Sequence, residues 1–444
     1  MPKVIIIGGG LAGLASAAAL ASVKYDVEIL ESRAFLGGRA TSWPANAAAN
    51  PETEPGELVD NCQHVLMRCC VNLLDFYRRL GVDESIQFYR TFYFIEPGGR
   101  VSTLKRGMLP APAHFAGSFL GMSCFNAADK IAIARGMLAL QRERTRTDLD
   151  QITMSDWLLQ HGQTPRAIER FWRQVLVSAI NEDLEKMAAA HGFQVFWLGM
   201  LASRDSYEMG VPAVPLRELY RPDVWQRVGS VLLRPRSAVT RIETERGNVT
   251  GVRVGERYFA ADQYICALPF ERVPGVLPEL NLNVEGWEHS PITGIHLWFD
   301  RPITSLPHAT LLDRTIQWMF NKADGRYVQL VVSASRSLLE MSRADVIALA
   351  LRELVEFFPE VAAATLERAH VVKEVRATFS AKPGMEARRP AASTCFGNLY
   401  LAGDWTRSGW PATMEGAVRS GYAAADALLV RSGRPAQFLL RDIA

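Results

Sequence analysis

The sequence predicts an α/β fold in which a parallel-sheet domain, assembled from separated stretches of chain, carries a second and partly helical domain. Three observations lead there. The chain opens on Val4-Ile5-Ile6-Ile7, a continuous β-branched run of the kind buried on both faces of a parallel sheet, and passes through a glycine cluster into an Ala/Leu-rich stretch. From about residue 68 to 210 the apolar pattern takes a helical period. Strand periodicity then returns between Val231 and Leu268 and again at Leu399 to Asp404.

Taken in order, the opening strand is followed by Leu14 to Ala21 as a helix and Asp26 to Glu31 as a second strand, which together make a βαβ unit. Ala45 to Pro55 is small, polar and broken by proline, so it reads as a surface loop joining two strands. Asn72 to Leu80 is a helix closed by Gly81, and Ile168 to Ile180 is also helix-periodic. Strands are expected at Val231–Leu233, Ala238–Glu243, Val249–Val254 and Gln263–Leu268. A mixed region follows, with strands at Gly294–Phe299 and Val328–Val332 and a helix from Asp345 to Phe358. Leu399 to Asp404 is another buried strand, and Ala412 to Val430 a last helix.

At 444 residues the chain is too long for one small core and suits two or three packed modules. Hydrophobic residues at 48% and charged residues at 22% exclude intrinsic disorder. With 49 basic against 47 acidic residues the net charge is +2, which provides no general field for nucleic acid. The six cysteines form no CxxC pair and no zinc-finger spacing, so neither a metal site nor a disulfide framework is expected, and buried reduced thiols are. The apolar N-terminal run is too short for a signal peptide, which points to a cytoplasmic protein. The uncharged stretch Gly107–Ala128 contains Pro110, Pro112, His114, Gly117 and Gly121 and makes a poor transmembrane helix.

Gly8-x-Gly10-x-x-Gly13 stands between the buried strand and the Ala-rich helix, where a pyrophosphate can lie against backbone N–H groups at a helix N-terminus. Glu31 closes the second strand, where a carboxylate accepts hydrogen bonds from both ribose hydroxyls of an adenosine without a 2′-phosphate. Gly37-Gly38-Arg39 then offers a second close backbone approach and a guanidinium that would face the pyrophosphate or the flavin end of FAD; an ordinary turn with a solvated arginine is the alternative. Leu401-Ala402-Gly403-Asp404, followed by Thr413-Met414-Glu415-Gly416, sets a strand, a Gly-Asp turn and a helix whose positive end would stabilise negative charge on a reduced ring.

Together, Gly8 to Leu14, Glu31, Gly37-Gly38-Arg39 and Leu401-Ala402-Gly403-Asp404 resemble the flavin amine oxidase and phytoene desaturase superfamily from end to end. Within it, Asp60-Asn61-Cys62-Gln63-His64, Asn72-Leu73-Leu74 and Gly403-Asp404-Trp405-Thr406 are similar to the hydroxysqualene dehydroxylases, also called squalene-associated FAD-dependent desaturases. The resemblance implies a Rossmann-like FAD-binding domain of residues 1–85, 222–275 and 395–432, and a discontinuous, partly helical substrate domain of residues 86–221 and 276–394. It implies an FAD set of Gly8, Gly10, Leu11, Ala12, Gly13, Glu31, Ser32, Gly38 and Arg39, with Val239 against adenine. Gly403, Asp404, Met414 and Glu415 would meet the pyrophosphate, ribitol and isoalloxazine.

The implied reaction replaces the hydroxyl of hydroxysqualene by hydrogen, giving squalene on the route to hopanoids. Losing an allylic hydroxyl needs a proton donor, a shielded cation and a dry site. His64 is the candidate donor and Asp60 its orienting partner; a histidine there serves equally as a structural hydrogen-bonding group, and Asp60 as a turn cap. A long isoprenoid substrate calls for an apolar tunnel, for which Phe92, Phe94, Phe171, Trp172, Phe193, Phe196 and Trp197 are available, as they are for plain core. Met108 to Phe125, flanked by Lys105, Arg106 and Lys130, would either dip into the membrane interface on the inner face of the cell membrane or cover the tunnel. One dinucleotide fingerprint leaves the flavin reductant unidentified. The alternative is an FAD-dependent amine oxidase or carotenoid-type desaturase; a non-catalytic flavoprotein is a third reading.

Overall fold

The computed structural model describes residues 1–44 and 57–443. The surface loop expected at Ala45 to Pro55 lies outside these residues, and the strands on either side, Ser42–Pro44 and Leu58–Asp60, pair antiparallel.

A five-stranded parallel sheet runs in the order Val231–Arg234, Asp26–Leu30, Lys3–Ile7, Gln263–Cys266, Leu399–Leu401. The middle strand is apolar from Val4 to Ile7 because both its faces are covered, one by helices and the other by the three-stranded antiparallel sheet Arg241–Glu245, Asn248–Val254, Arg257–Phe259. The helix Leu11–Ser22 is buried from Leu11 to Ala21, which is why its sequence has no polar face. It crosses the C-terminal helix Met414–Arg431 so closely that a Cβ on Gly421 would meet the Ala12 carbonyl oxygen at 2.3 Å. The strand expected from Ala238 begins at Arg241, and Ser237 to Thr240 forms an irregular approach to it.

The second layer is a seven-stranded sheet in the order Leu366–Phe379, His289–Phe299, Tyr327–Ser333, Trp318–Ala323, His308–Leu311, Thr91–Ile95, Val101–Lys105. It is antiparallel except where Thr310 and Leu311 pair parallel with Phe94 and Ile95. One face packs Ile295, Leu297 and Leu330 against Val346 and Leu354 of the helix Arg343–Phe357. The opposite face looks toward the parallel-sheet layer.

The helical reading of 68 to 210 needs correction at its start. After the helix Val71–Leu80, Ile86–Tyr89, Thr91–Ile95 and Val101–Lys105 are strands; helix resumes with the short Ala116–Gly121 and then the long Ala127–Glu143. Asn126 and Asp129 form a reciprocal cap there, while Thr153 and Thr164 cap the two helices that follow. The segments 165–180 and 189–201 are continuous helices with stretches of wider π-type turn at Ile168–Arg173 and Trp197–Leu201. Gly81 closes the helix Val71–Leu80 in the left-handed conformation, as its position predicts. The cysteines are unpaired; Cys395 is exposed and Cys70 half-buried, so the buried reading fits the other four only.

Candidate functional site

A single cavity of about 820 Å³ runs from the glycine cluster of the parallel sheet to the inner face of the seven-stranded sheet. That volume is within the range of small-molecule and cofactor sites.

At the glycine end, Gly10 is extended (φ −78°, ψ 174°), and the nearest atom to a Cβ built there is the Gly38 Cα at 3.9 Å. Nothing in the packed fold requires glycine at this place, and the space beside it belongs to the cavity. The helix that starts at Leu11 has no side-chain cap and no acid in its first turn, so its N–H groups and positive end face the cavity uncompensated. Leu11, Ala12, Glu31, Ser32, Gly38, Arg39 and Val239 line the same space. Glu31 Oε2 accepts from the Gly9 N–H at 2.7 Å and Oε1 from the Arg33 N–H at 2.7 Å, which fixes the carboxylate beside the glycine turn. The Ser237 N–H donates to the Glu31 carbonyl at 2.7 Å, bringing in the segment that carries Val239.

Gly8 and Gly13 do not line the cavity. A Cβ on Gly13 would fall 2.0 Å from the Gly8 carbonyl oxygen, so this pair makes the strand-to-helix turn tight enough to close and leaves ligand contact to Gly10.

The Arg39 guanidinium donates to Asp404 Oδ1 at 2.7 Å and to the Ala377 carbonyl at 2.8 Å. Burial opposes its charge, and the Asp404 carboxylate more than offsets that, raising its pKa. Gly403, Asp404 and Met414 line the cavity together with Arg39. Buried Arg389 holds the Gly403–Ser408 turn from behind, donating to the Asp404 carbonyl and to Ser408 Oγ, each at 2.9 Å.

Glu415 is a correction: it is off the cavity wall. Its carboxylate accepts from the Leu73 N–H at 2.7 Å, the Asn72 N–H at 3.2 Å and Asn72 Nδ2 at 2.8 Å, capping the start of the helix Val71–Leu80. Burial pushes its pKa up to about 7.

Asp60 is a second correction. It is buried, and its oxygens accept from Ser42 Oγ at 2.7 Å, the Leu216 N–H at 2.9 Å and Lys322 Nζ at 3.2 Å, so it ties three other segments to its own, and these bonds go elsewhere than to His64. His64 does line the cavity, but its Nδ1 lies 2.8 Å from the Cys62 carbonyl. A carbonyl only accepts, so Nδ1 carries the hydrogen. Burial pushes the ring below the usual histidine range, against the opposing bond to Cys62, and the neutral ring presents a bare, accepting Nε2. This favours His64 as an acceptor over the proton donor expected of it.

Sequence reasoning missed Glu374, whose Oε2 accepts from Asn61 Nδ2 at 3.2 Å within the cavity. It stands on the unread strand Leu366–Phe379, whose charged residues conceal the alternation.

At the far end the walls turn apolar. Phe92 and Phe94 line it as expected, joined by Trp318, Phe320, Met209 and Ile292, which the sequence did not single out. Phe171, Trp172, Phe193 and Phe196 instead pack together in the helical core, Trp172 edge-on to Phe196 at 4.7 Å, and Trp197 faces Arg144 outside the cavity.

A glycine cradle on a helix N-terminus, an acid fixed beside the glycine turn and an Arg–Asp pair opening into one chamber suit a flavin-dependent oxidoreductase. Residues 11–429 match the model of the family described as flavin containing amine oxidoreductase, and the chain belongs to that family. FAD is its cofactor. Among similar sequences, a zeta-carotene desaturase of Synechocystis sp. is 24% identical, over 97% of this chain and 98% of the relative. A 15-cis-phytoene desaturase of Synechococcus elongatus is 24% identical over 98% of each. Among solved structures, a putrescine oxidase with bound putrescine superposes with a TM-score of 0.71 at 14% identity, over 97% of this chain and 99% of that one. Cyclohexylamine oxidase from Brevibacterium oxydans gives 0.66 at 18%, over 98% and 100%. These confirm the amine oxidase-like α/β fold.

Proposed function

We propose that this FAD enzyme acts on a long isoprenoid lipid and that its reaction is the reductive dehydroxylation of hydroxysqualene to squalene. The observation that carries the reading is the cavity that leads from the cofactor cradle to a wall of Phe92, Phe94, Trp318, Phe320, Met209 and Ile292. The Asp60-Asn61-Cys62-Gln63-His64 and Gly403-Asp404-Trp405-Thr406 motifs support the hydroxylated substrate.

Reduced flavin, when bound, supplies hydride. The chain's own residues do the rest. The hydroxyl takes up a proton from solvent water and leaves as water, hydride from the reduced cofactor would then replace it on carbon, and the allylic cation between the two events is shielded by Phe92, Phe94, Trp318 and Phe320. His64 Nε2 accepts the hydroxyl hydrogen and orients the C–O bond. The Cys62 thiol, pushed up to about 12 by burial, stays neutral and adds no anion to trap the cation. The lipid enters across Met108, Leu109 and Leu120, exposed apolar side chains near Lys105 and Lys130 that suit contact with an anionic membrane surface. No helix among the described residues is long and apolar enough to cross a membrane.

The second reading, desaturation of a carotenoid-type polyene, is favoured by the desaturases among the similar sequences and by the accepting state of His64. Anaerobic, chemically reduced protein carrying deuterium at flavin N5 separates the two. Squalene labelled at the carbon that lost oxygen is the expected product. No squalene here, with new double bonds formed in phytoene by the oxidised protein and a quinone acceptor, would replace dehydroxylation by desaturation.

A further inference from the structure

Thr310, His308 and Gln329 lie on the cavity-facing side of the seven-stranded sheet, all three without solvent exposure. Thr310 Oγ1, both ring nitrogens of His308 and both amide atoms of Gln329 have no hydrogen-bond partner. Thr310 itself lines the cavity, and His308 precedes it by two on the same face of one strand. The register places His308 and Gln329 on either side of Phe320, a lining ring, and sets Thr310 against Trp318, another. The His308 ring lies 6.3 Å from Phe320 and 6.4 Å from Phe92, behind the first layer of the wall.

A buried polar group left unpaired is costly, and valine would fill the position of Thr310 with the same shape and no such cost. One orphaned polar atom on the chamber wall, Thr310 Oγ1, with four more on His308 and Gln329 behind it, marks a place for a polar partner. Its chemistry can be read from theirs. A hydroxyl, a neutral imidazole and an amide offer both donors and acceptors but no charge, and burial holds the His308 ring neutral, its pKa pushed down to about 4. An ammonium or a carboxylate would find no counter-charge among them.

We infer that this wall is a subsite for an uncharged hydroxyl on the lipid, with Thr310 touching it and His308 and Gln329 forming an uncharged polar layer behind the lining rings. The inference rests on the lipid reading of the cavity and deepens it by naming the residue that tells an alcohol from its parent hydrocarbon.

The test is competitive loading of the delipidated, FAD-replete protein with equal amounts of hydroxysqualene and squalene in detergent, the bound lipids being quantified by mass spectrometry. Wild type should hold the alcohol in roughly tenfold excess, the worth of one net hydrogen bond. Thr310→Val should bring the ratio to about one with total lipid and flavin spectrum unchanged, and Thr310→Ser should restore the excess. No preference in wild type, a preference retained by Thr310→Val, or equal loss of both lipids in that variant would overturn the subsite while leaving the lipid cavity standing. Wild type that takes neither lipid would remove the lipid reading and the subsite with it.

Discussion

Replacing Gly10 by valine should leave the fold intact and remove FAD binding. The backbone there is extended, a conformation valine adopts freely, and the new Cβ would meet only the Gly38 Cα at 3.9 Å, an ordinary contact. The two methyl groups then have nowhere to go but the cavity, on the line along which a pyrophosphate reaches the N–H groups of Leu11 and Ala12. Gly13 supplies the control. A Cβ at that place comes within 2.0 Å of the Gly8 carbonyl oxygen, so Gly13→Val should fail to fold or lose several kcal/mol, since strand and helix have no slack. FAD at a hundredfold excess over its Kd stabilises the native state by about 2.7 kcal/mol, worth a few degrees of Tm in a chain of this length. Thermal melts with and without FAD, with flavin absorbance read after gel filtration, give the comparison. Wild type should shift and elute yellow, while Gly10→Val should melt where apo wild type does and elute colourless. A Gly10→Val protein that gains the same shift would show that the open space beside Gly10 is not the cofactor's path.

Glu415 ionises near 4.5 in the unfolded chain and near 7 in the folded protein, so the native state holds the extra proton between those values and stability falls as pH rises through that window, by on the order of 3 kcal/mol. Glu415→Gln should flatten the Tm profile from pH 4.5 to 7, and an equally steep profile in the variant would refute this. Asp404→Asn removes the charge that holds Arg39 and should weaken FAD about tenfold by fluorescence titration, with unchanged affinity counting against the pair as part of the cradle. His64→Ala should keep FAD and leave the pH dependence of turnover above pH 6.5 unaltered, because the ring is already neutral there; loss of a titration near pH 7 would restore His64 as an acid. Glu31→Ala should weaken FAD by roughly 1–3 kcal/mol, read by isothermal titration.

The opening βαβ unit and the closing strand-turn-helix were legible because burial on both faces makes a strand continuously apolar and because a phosphate cradle demands glycine at fixed spacing. Of the seven-stranded sheet, only the two apolar inner strands, at Gly294–Phe299 and Val328–Val332, were. Leu366–Phe379 carries Glu367, Arg368, Lys373, Glu374 and Arg376 along a half-exposed edge, and Thr91–Ile95 sets two aromatic rings toward the cavity and a third, Tyr93, away from it, so neither shows a simple alternation. Met414 and Glu415 show a different limit. One residue turns a helix by about 100°, so at the same helix N-terminus one side chain meets the cavity and the next caps another helix, a distinction that lies in packing and leaves no trace in the motif. The aromatics at helical spacing went to the core for the same reason.

The parallel sheet takes neighbouring strands from residues 3–30, 231–266 and 399–401, and Leu399–Leu401 is its edge strand, beside Gln263–Cys266. During synthesis the glycine turn therefore emerges hundreds of residues before the Gly403–Asp404 turn that completes the cradle opposite it. Contacts so distant along the chain are slow to form, and the nascent protein must hold its apolar chamber open to solvent in the meantime. Flavin supply in the cell, by capturing the finished cradle, should thus govern how much of the newly made chain escapes aggregation and proteolysis.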